Sequence, residues 1–171
     1  MKKSTRKQFL SLGIGAAASA LLIPPSLLAQ DRGRPEQLPP EIVKKFVGAS
    51  HGNLPVVKEL LAEHPTLIYA SWDWGGGDFE SCIGAAGHVG NREMAQFLIE
   101  KGARANLFTL CMLGELALLK PILKAYPAWA TAIGPHGFTM LHHAIKGGEQ
   151  AEGVRELLES LGAKETQVKL S

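Results

Sequence analysis

Two cysteines in 171 residues are too few for a disulfide-stapled scaffold, which needs several bridges to replace a missing core. Aromatic residues are also scarce, at 6% of the chain. Neither sign of charge dominates: 18 basic and 16 acidic residues leave a formal charge of +2, far from the strong positive field of a nucleic-acid binder. No apolar run is long enough to cross a bilayer, because the stretch from Phe9 to Ile23 holds about 15 residues against the roughly 20 needed. Together these shortages exclude a collagen, a cysteine-rich miniprotein and a multi-span membrane protein. What the chain does contain is 46% hydrophobic and 20% charged residues, the composition of one soluble domain with material for a core.

The basic residues are unevenly placed. Lys2, Lys3, Arg6 and Lys7 open the chain, with no acidic residue before Gln30. The apolar, small-residue run follows, Pro24 and Pro25 end any helix, and a short segment leads to Ala29. That order is the layout of a cleaved export signal. Cleavage after Ala29 is expected, with Ala18-Ser19-Ala20 as the alternative cut. Thr5-Arg6-Lys7-Gln8-Phe9-Leu10 resembles the twin-arginine export motif, with Lys7 in the place of its second arginine. An ammonium does not reproduce the guanidinium fork, so twin-arginine and general secretory export both stay open. Removing residues 1–29 takes away four basic residues and leaves 14 against 16 acids, a mature charge of −2. Residues 30–40, rich in proline and charge, read as a linker.

From residue 41 onward one pattern recurs. A small-residue segment, a glycine-centred turn and a second apolar segment appear around His51-Gly52-Asn53, His88-Val89-Gly90-Asn91, Leu113-Gly114-Glu115 and Gly147-Gly148. The turn glycines Gly52, Gly90, Gly114 and Gly148 are spaced by 38, 24 and 34 residues. Each turn is followed by a bulky pair: Leu60/Leu61, Leu98/Ile99, Ile122/Leu123 and Leu157/Leu158. Thr139-Met140-Leu141-His142 precedes the last turn, and Gly102-Ala103 and Gly162-Ala163 close two of the second segments.

Residues 41–163 resemble the ankyrin repeat family, whose period is about 33 residues and whose signature combines Thr-Pro-Leu-His, a glycine turn and a Val-x-x-Leu-Leu helix. The resemblance implies an all-α solenoid of about four helix-turn-helix repeats with short or missing β-hairpin fingers, followed by a tail at 164–171. It also implies that Thr139 and His142 bond locally and order the turn before their helix. The spacing of 24 leaves no room for a finger, so Ala103 to Asn106 is expected to pass directly into the next helix. The spacing of 38 lengthens the first finger around Tyr69 to Glu80. Pro121 falls inside a second helix and is expected to kink or end it.

The family's mode of action implies a non-catalytic protein-binding module, exported to the periplasm or cell envelope as a monomer, with no cofactor. Partner contacts are expected at Trp72, Asp73, Trp74, Asp78 and Phe79 of the long finger and at His136 of the second, since aromatic anchors with polar borders make contact hot spots. The aromatics have a second reading, as cover for the end of a short solenoid. The alternative function is a small exported enzyme or metal-binding protein using the histidines. Against it, His142 and His143 are adjacent and diverge by about 100° on a helix, and His136 reads as an exposed turn residue. His51 and His88 hold matched turn positions and are placed to approach one another, yet no acid or thiol sits beside them at metal-ligand spacing. Cys82 and Cys111 read as buried, unpaired thiols. Gly75-Gly76-Gly77 lacks the Lys-Ser/Thr of a phosphate loop.

Overall fold

The structure, a computed structural model, describes residues 35–170. Residues 1–29, read from the sequence as an export signal, and most of the expected linker lie outside them. From Leu38 onward the chain forms one compact unit that is mostly helical, with eight α-helices arranged as four successive pairs. The first pair is α1 (Pro40–Ala49) and α2 (Leu54–Glu63), and the second is α3 (Cys82–Val89) and α4 (Arg92–Glu100). The third is α5 (Leu107–Leu113) and α6 (Leu116–Ala125), and the fourth is α7 (Met140–Lys146) and α8 (Glu152–Ser160). Between the first two pairs lies an antiparallel hairpin, β1 (Ser71–Asp73) and β2 (Phe79–Ser81), in which Trp72 faces Glu80.

Local chemistry sets the helix boundaries. Asn53, Ser81, Asn91, Asn106 and Thr139 each accept a hydrogen bond from a backbone N–H of the helix they precede, satisfying donors that the helix itself leaves free. Pro40 opens α1, where a missing N–H costs nothing. Gly90 and Gly114 end α3 and α5 in the left-handed conformation, which glycine adopts without strain. Gly52 departs from the expected pattern: its φ is not positive, and the α1–α2 turn instead runs through N–H donation from Gly52 and Asn53 to the Ala49 carbonyl. Pro121 does not end α6, which continues through it to Ala125.

The first helices pack in series, α1 on α3, α3 on α5 and α5 on α7, and α3 also touches α7 directly. Ala85, Ala86 and Ala144 are buried at these contacts, where short side chains let helix axes approach. Of each bulky pair only one member is buried: Leu60, Leu98, Leu123 and Leu158. Adjacent helical residues point about 100° apart, so its neighbour sits at the edge of the core. Two buried clusters result, one centred on Phe46, Leu67, Ile83 and Leu98, the other on Leu119, Leu123, Met140 and Leu158. Lys101 to Asn106 joins α4 to α5 without any strand. Beyond α8 the chain bonds back along residues 136–139, through Thr139 N–H to the Thr166 carbonyl, Thr139 Oγ1 to the Glu165 carbonyl and Val168 N–H to the Gly137 carbonyl. Among the described residues no helix is long and apolar enough to cross a membrane.

Candidate functional site

Glu80 is the centre of the site. It lies on β2 with its side chain fully buried, an expensive place for a carboxylate unless other groups compensate. Strand alternation sends Phe79, its neighbour, to the outside, 63% exposed. Three histidines from distant segments close on the Glu80 carboxylate. His51, in the α1–α2 turn, puts Nε2 3.4 Å from Oε2. His136, in a single 3-10 turn at Pro135–Gly137, puts Nε2 3.4 Å from the same oxygen. His88, in the last turn of α3, brings Nδ1 to 2.7 Å from Oε1. That approach is close but poorly aligned, and Oε1 has no hydrogen-bond partner. Trp74 donates its indole N–H to Oε2 at 2.8 Å.

The imidazoles sit edge to face, with His88 4.9 Å from His51 and 5.2 Å from His136 between ring centres. One ligand-capable atom from each of His51, Glu80, His88 and His136 falls within 4.8 Å of all the others. Burial alone would push the Glu80 carboxyl up. The His88 contact, the charges of His88 and His51 in their protonated forms and the Trp74 bond outweigh it, holding the carboxyl below its ordinary value.

A second layer fixes the rings. His51 Nδ1 is 2.9 Å from the Gly48 carbonyl. His136 Nδ1 is 2.6 Å from Asp78 Oδ2, while Asp78 Oδ1 accepts the His136 backbone N–H at 2.8 Å. His136 has φ 58, a conformation costly for a non-glycine residue, and its two hydrogen bonds to Asp78 hold it there. Beneath His88, its backbone carbonyl is 2.9 Å from His142 Nε2, and the His142 ring stacks on Phe138 at 4.0 Å.

These positions revise several sequence expectations. His136 is not a free turn residue, since it is half-buried and bonded to Asp78. Asp73 is exposed, but its carboxylate accepts the N–H groups of Gly75 and Gly77 and shapes the hairpin tip. Trp74 is 37% exposed and lies over the cluster as a cover as well as a donor. Trp72 is partly buried, with the Lys44 ammonium 5.8 Å from its ring centre. Phe79 stands largely free, as does Tyr69 at the start of the finger, 58% exposed with the Arg104 guanidinium 4.8 Å from its ring centre. The His142 side chain reaches α3, 54 residues back, while its backbone N–H donates to Thr139 Oγ1, which caps α7. His143 Nδ1 bonds the Thr139 carbonyl, and burial pushes its imidazole down to about 4.

Sequence reasoning missed Glu80, because the acid lies 29 residues from His51 and 56 from His136, outside any local ligand spacing. The one available signal was a glutamate at an inward position of the tryptophan-rich finger. Cys82 and Cys111 are free and buried, and burial pushes both thiols up to about 12. Such thiols are poor nucleophiles and poor ligands. Compared with family models, curated proteins and solved structures, the chain matches none.

Proposed function

We propose that this chain is a non-catalytic binding protein of ankyrin-repeat type, exported to the periplasm or cell envelope by residues 1–29, that engages a protein partner with the hairpin side of its helix stack. One observation carries the reading. The α1–α2 turn, the hairpin, the end of α3 and the turn at 135–137 converge on Glu80, so these four segments lie together on one side of the helix pairs, the arrangement that gives stacked repeats a shared binding surface. The four helix pairs, the left-handed glycines closing α3 and α5 and the Thr139 cap support the repeat assignment. Binding is favoured over catalysis because the buried hydroxyls of Ser50 and Thr109 are spent on backbone carbonyls and the thiols are inert.

The contact residues are narrower than the finger as a whole. Phe79 is the most accessible apolar side chain of the hairpin, and Trp72, paired with Glu80 across the strands, is partly buried. Asp73, Trp74, Asp78 and His136 are engaged in bonds that shape the hairpin and the cluster. Replacing Trp72 and Phe79 together by Ala should reduce envelope-partner capture at least about tenfold, the loss of a single modest hot spot, with helical circular dichroism unchanged. Retention of the same partners at wild-type level by this folded variant defeats the reading. Trp74→Ala is unsuitable, since it also strips a hydrogen bond from Glu80.

A further inference from the structure

The bonding around Glu80 leaves one thing unaccounted for. A carbonyl oxygen only accepts, so His51 Nδ1, 2.9 Å from Gly48 O, carries a proton. His136 Nδ1, 2.6 Å from the Asp78 carboxylate, carries one for the same reason. In a neutral imidazole the other nitrogen then has a bare lone pair. Both Nε2 lone pairs lie 3.4 Å from one buried carboxylate oxygen. Trp74 donates one proton to that oxygen, but no proton faces either Nε2 lone pair, and the second carboxylate oxygen, although His88 Nδ1 lies 2.7 Å away, has no aligned donor. Placing protons on every ring would set cationic imidazoles about 5 Å apart between centres. A single cation between the four side chains satisfies all of them at once.

We propose that His51, Glu80, His88 and His136 form a binding site for one divalent first-row transition-metal ion, with Zn2+ the best match. The donor set is three imidazoles and one carboxylate. That combination suits zinc and its neighbours, whereas calcium and magnesium take oxygen ligands in larger number or octahedral array. The spacing agrees with the chemistry. A tetrahedral ion with ligands at 2.0–2.1 Å separates them by about 3.4 Å, the distance from Glu80 Oε2 to both Nε2 atoms. The outer layer has the form metal sites require, because the Gly48 carbonyl and the Asp78 carboxylate fix the tautomer and aim Nε2 inward. Asp78 is a positioning residue here and touches the ion only through His136. The site is independent of the protein-binding reading and stands or falls on metal measurements.

Chelator-stripped full-length protein titrated with Co2+ should bind a single equivalent, develop the visible absorption of low-coordinate cobalt and lose it when Zn2+ is added. Zn2+ should raise Tm, and Ca2+ or Mg2+ should not. His51→Gln with His136→Gln should abolish the cobalt spectrum, and Asp78→Asn should weaken Zn2+ affinity by about 10- to 100-fold. His64→Gln, outside the cluster, should change nothing. If Glu80→Gln fails to fold, His51→Gln alone decides the matter, since that ring sits in a turn and is one-third exposed. The proposal is overturned if the folded double histidine variant binds Co2+ as wild type does, if wild-type protein binds none, or if Ca2+ stabilises as well as Zn2+.

Discussion

Glycine and histidine show how much one residue's meaning depends on its neighbours. At Gly114, φ is +77, and an added methyl would meet the backbone carbonyl of Gln150. At Gly102, φ is +96 but the space is open. Gly102→Ala should therefore cost about 1 kcal/mol of conformational strain, while Gly114→Ala should cost about 3 kcal/mol or more as the turn after α7 is pushed aside. Urea unfolding of the two variants measures the difference. Both glycines are legible in the sequence as turn or cap positions, but the carbonyl opposite Gly114 is not.

His143 supplies a pH signature. Its imidazole titrates at about 4 in the folded protein against 6.5 when unexposed to the fold, so the unfolded chain binds the extra proton between those values. Stability from this group is complete above pH 6.5, falls as pH drops toward 4 and is then fully lost, on the order of 3 kcal/mol. The lowered Glu80 carboxyl adds a second loss, beginning near its ordinary value of 4.5 and continuing below it. Melting temperature followed from pH 8 to pH 4 should decline below about pH 6.5, and His143→Gln should flatten that part of the curve.

At the scale of elements, helix ends were readable because the chemistry that makes them is local. Asparagine or threonine before a helix, proline in its first turn and glycine after it act within four residues. The hairpin was readable as a lengthened finger for the same reason. How α4 is fastened to its neighbours was not, since Arg92 reaches 20 to 55 residues ahead. Its guanidinium donates to the carbonyls of Leu113 and Met112 at 2.9 Å and of Gly147 at 3.4 Å, at the C-terminal ends of α5 and α7 where helix dipoles favour a cation. Arg92→Lys keeps the charge but loses the fork. It should cost about 2 kcal/mol, seen as a lower urea midpoint and faster amide exchange in the last turns of α5 and α7.

On the scale of the whole molecule, the pattern of four helix pairs was present in the sequence, while of the candidate site only the approach of His51 to His88 was. Repeats announce themselves by recurrence, but the convergence of His51, Glu80, His88 and His136 depends on how the pairs stack. It depends as well on the Asp78–His136 bond, which spans 58 residues. The apparent basicity of the full chain likewise disappears when residues 1–29 are set aside, since the remaining residues carry 14 basic and 16 acidic side chains. One packing feature bears on how such a molecule comes apart. In a linear stack each layer touches only the next, so an end layer can melt while the rest persists. Here α3 touches α7 across α5, and the His142 imidazole is bonded to the His88 carbonyl. Detaching the last pair therefore also strips contacts from the second, which ties the layers into one cooperative unit and suppresses fraying from the C-terminal end.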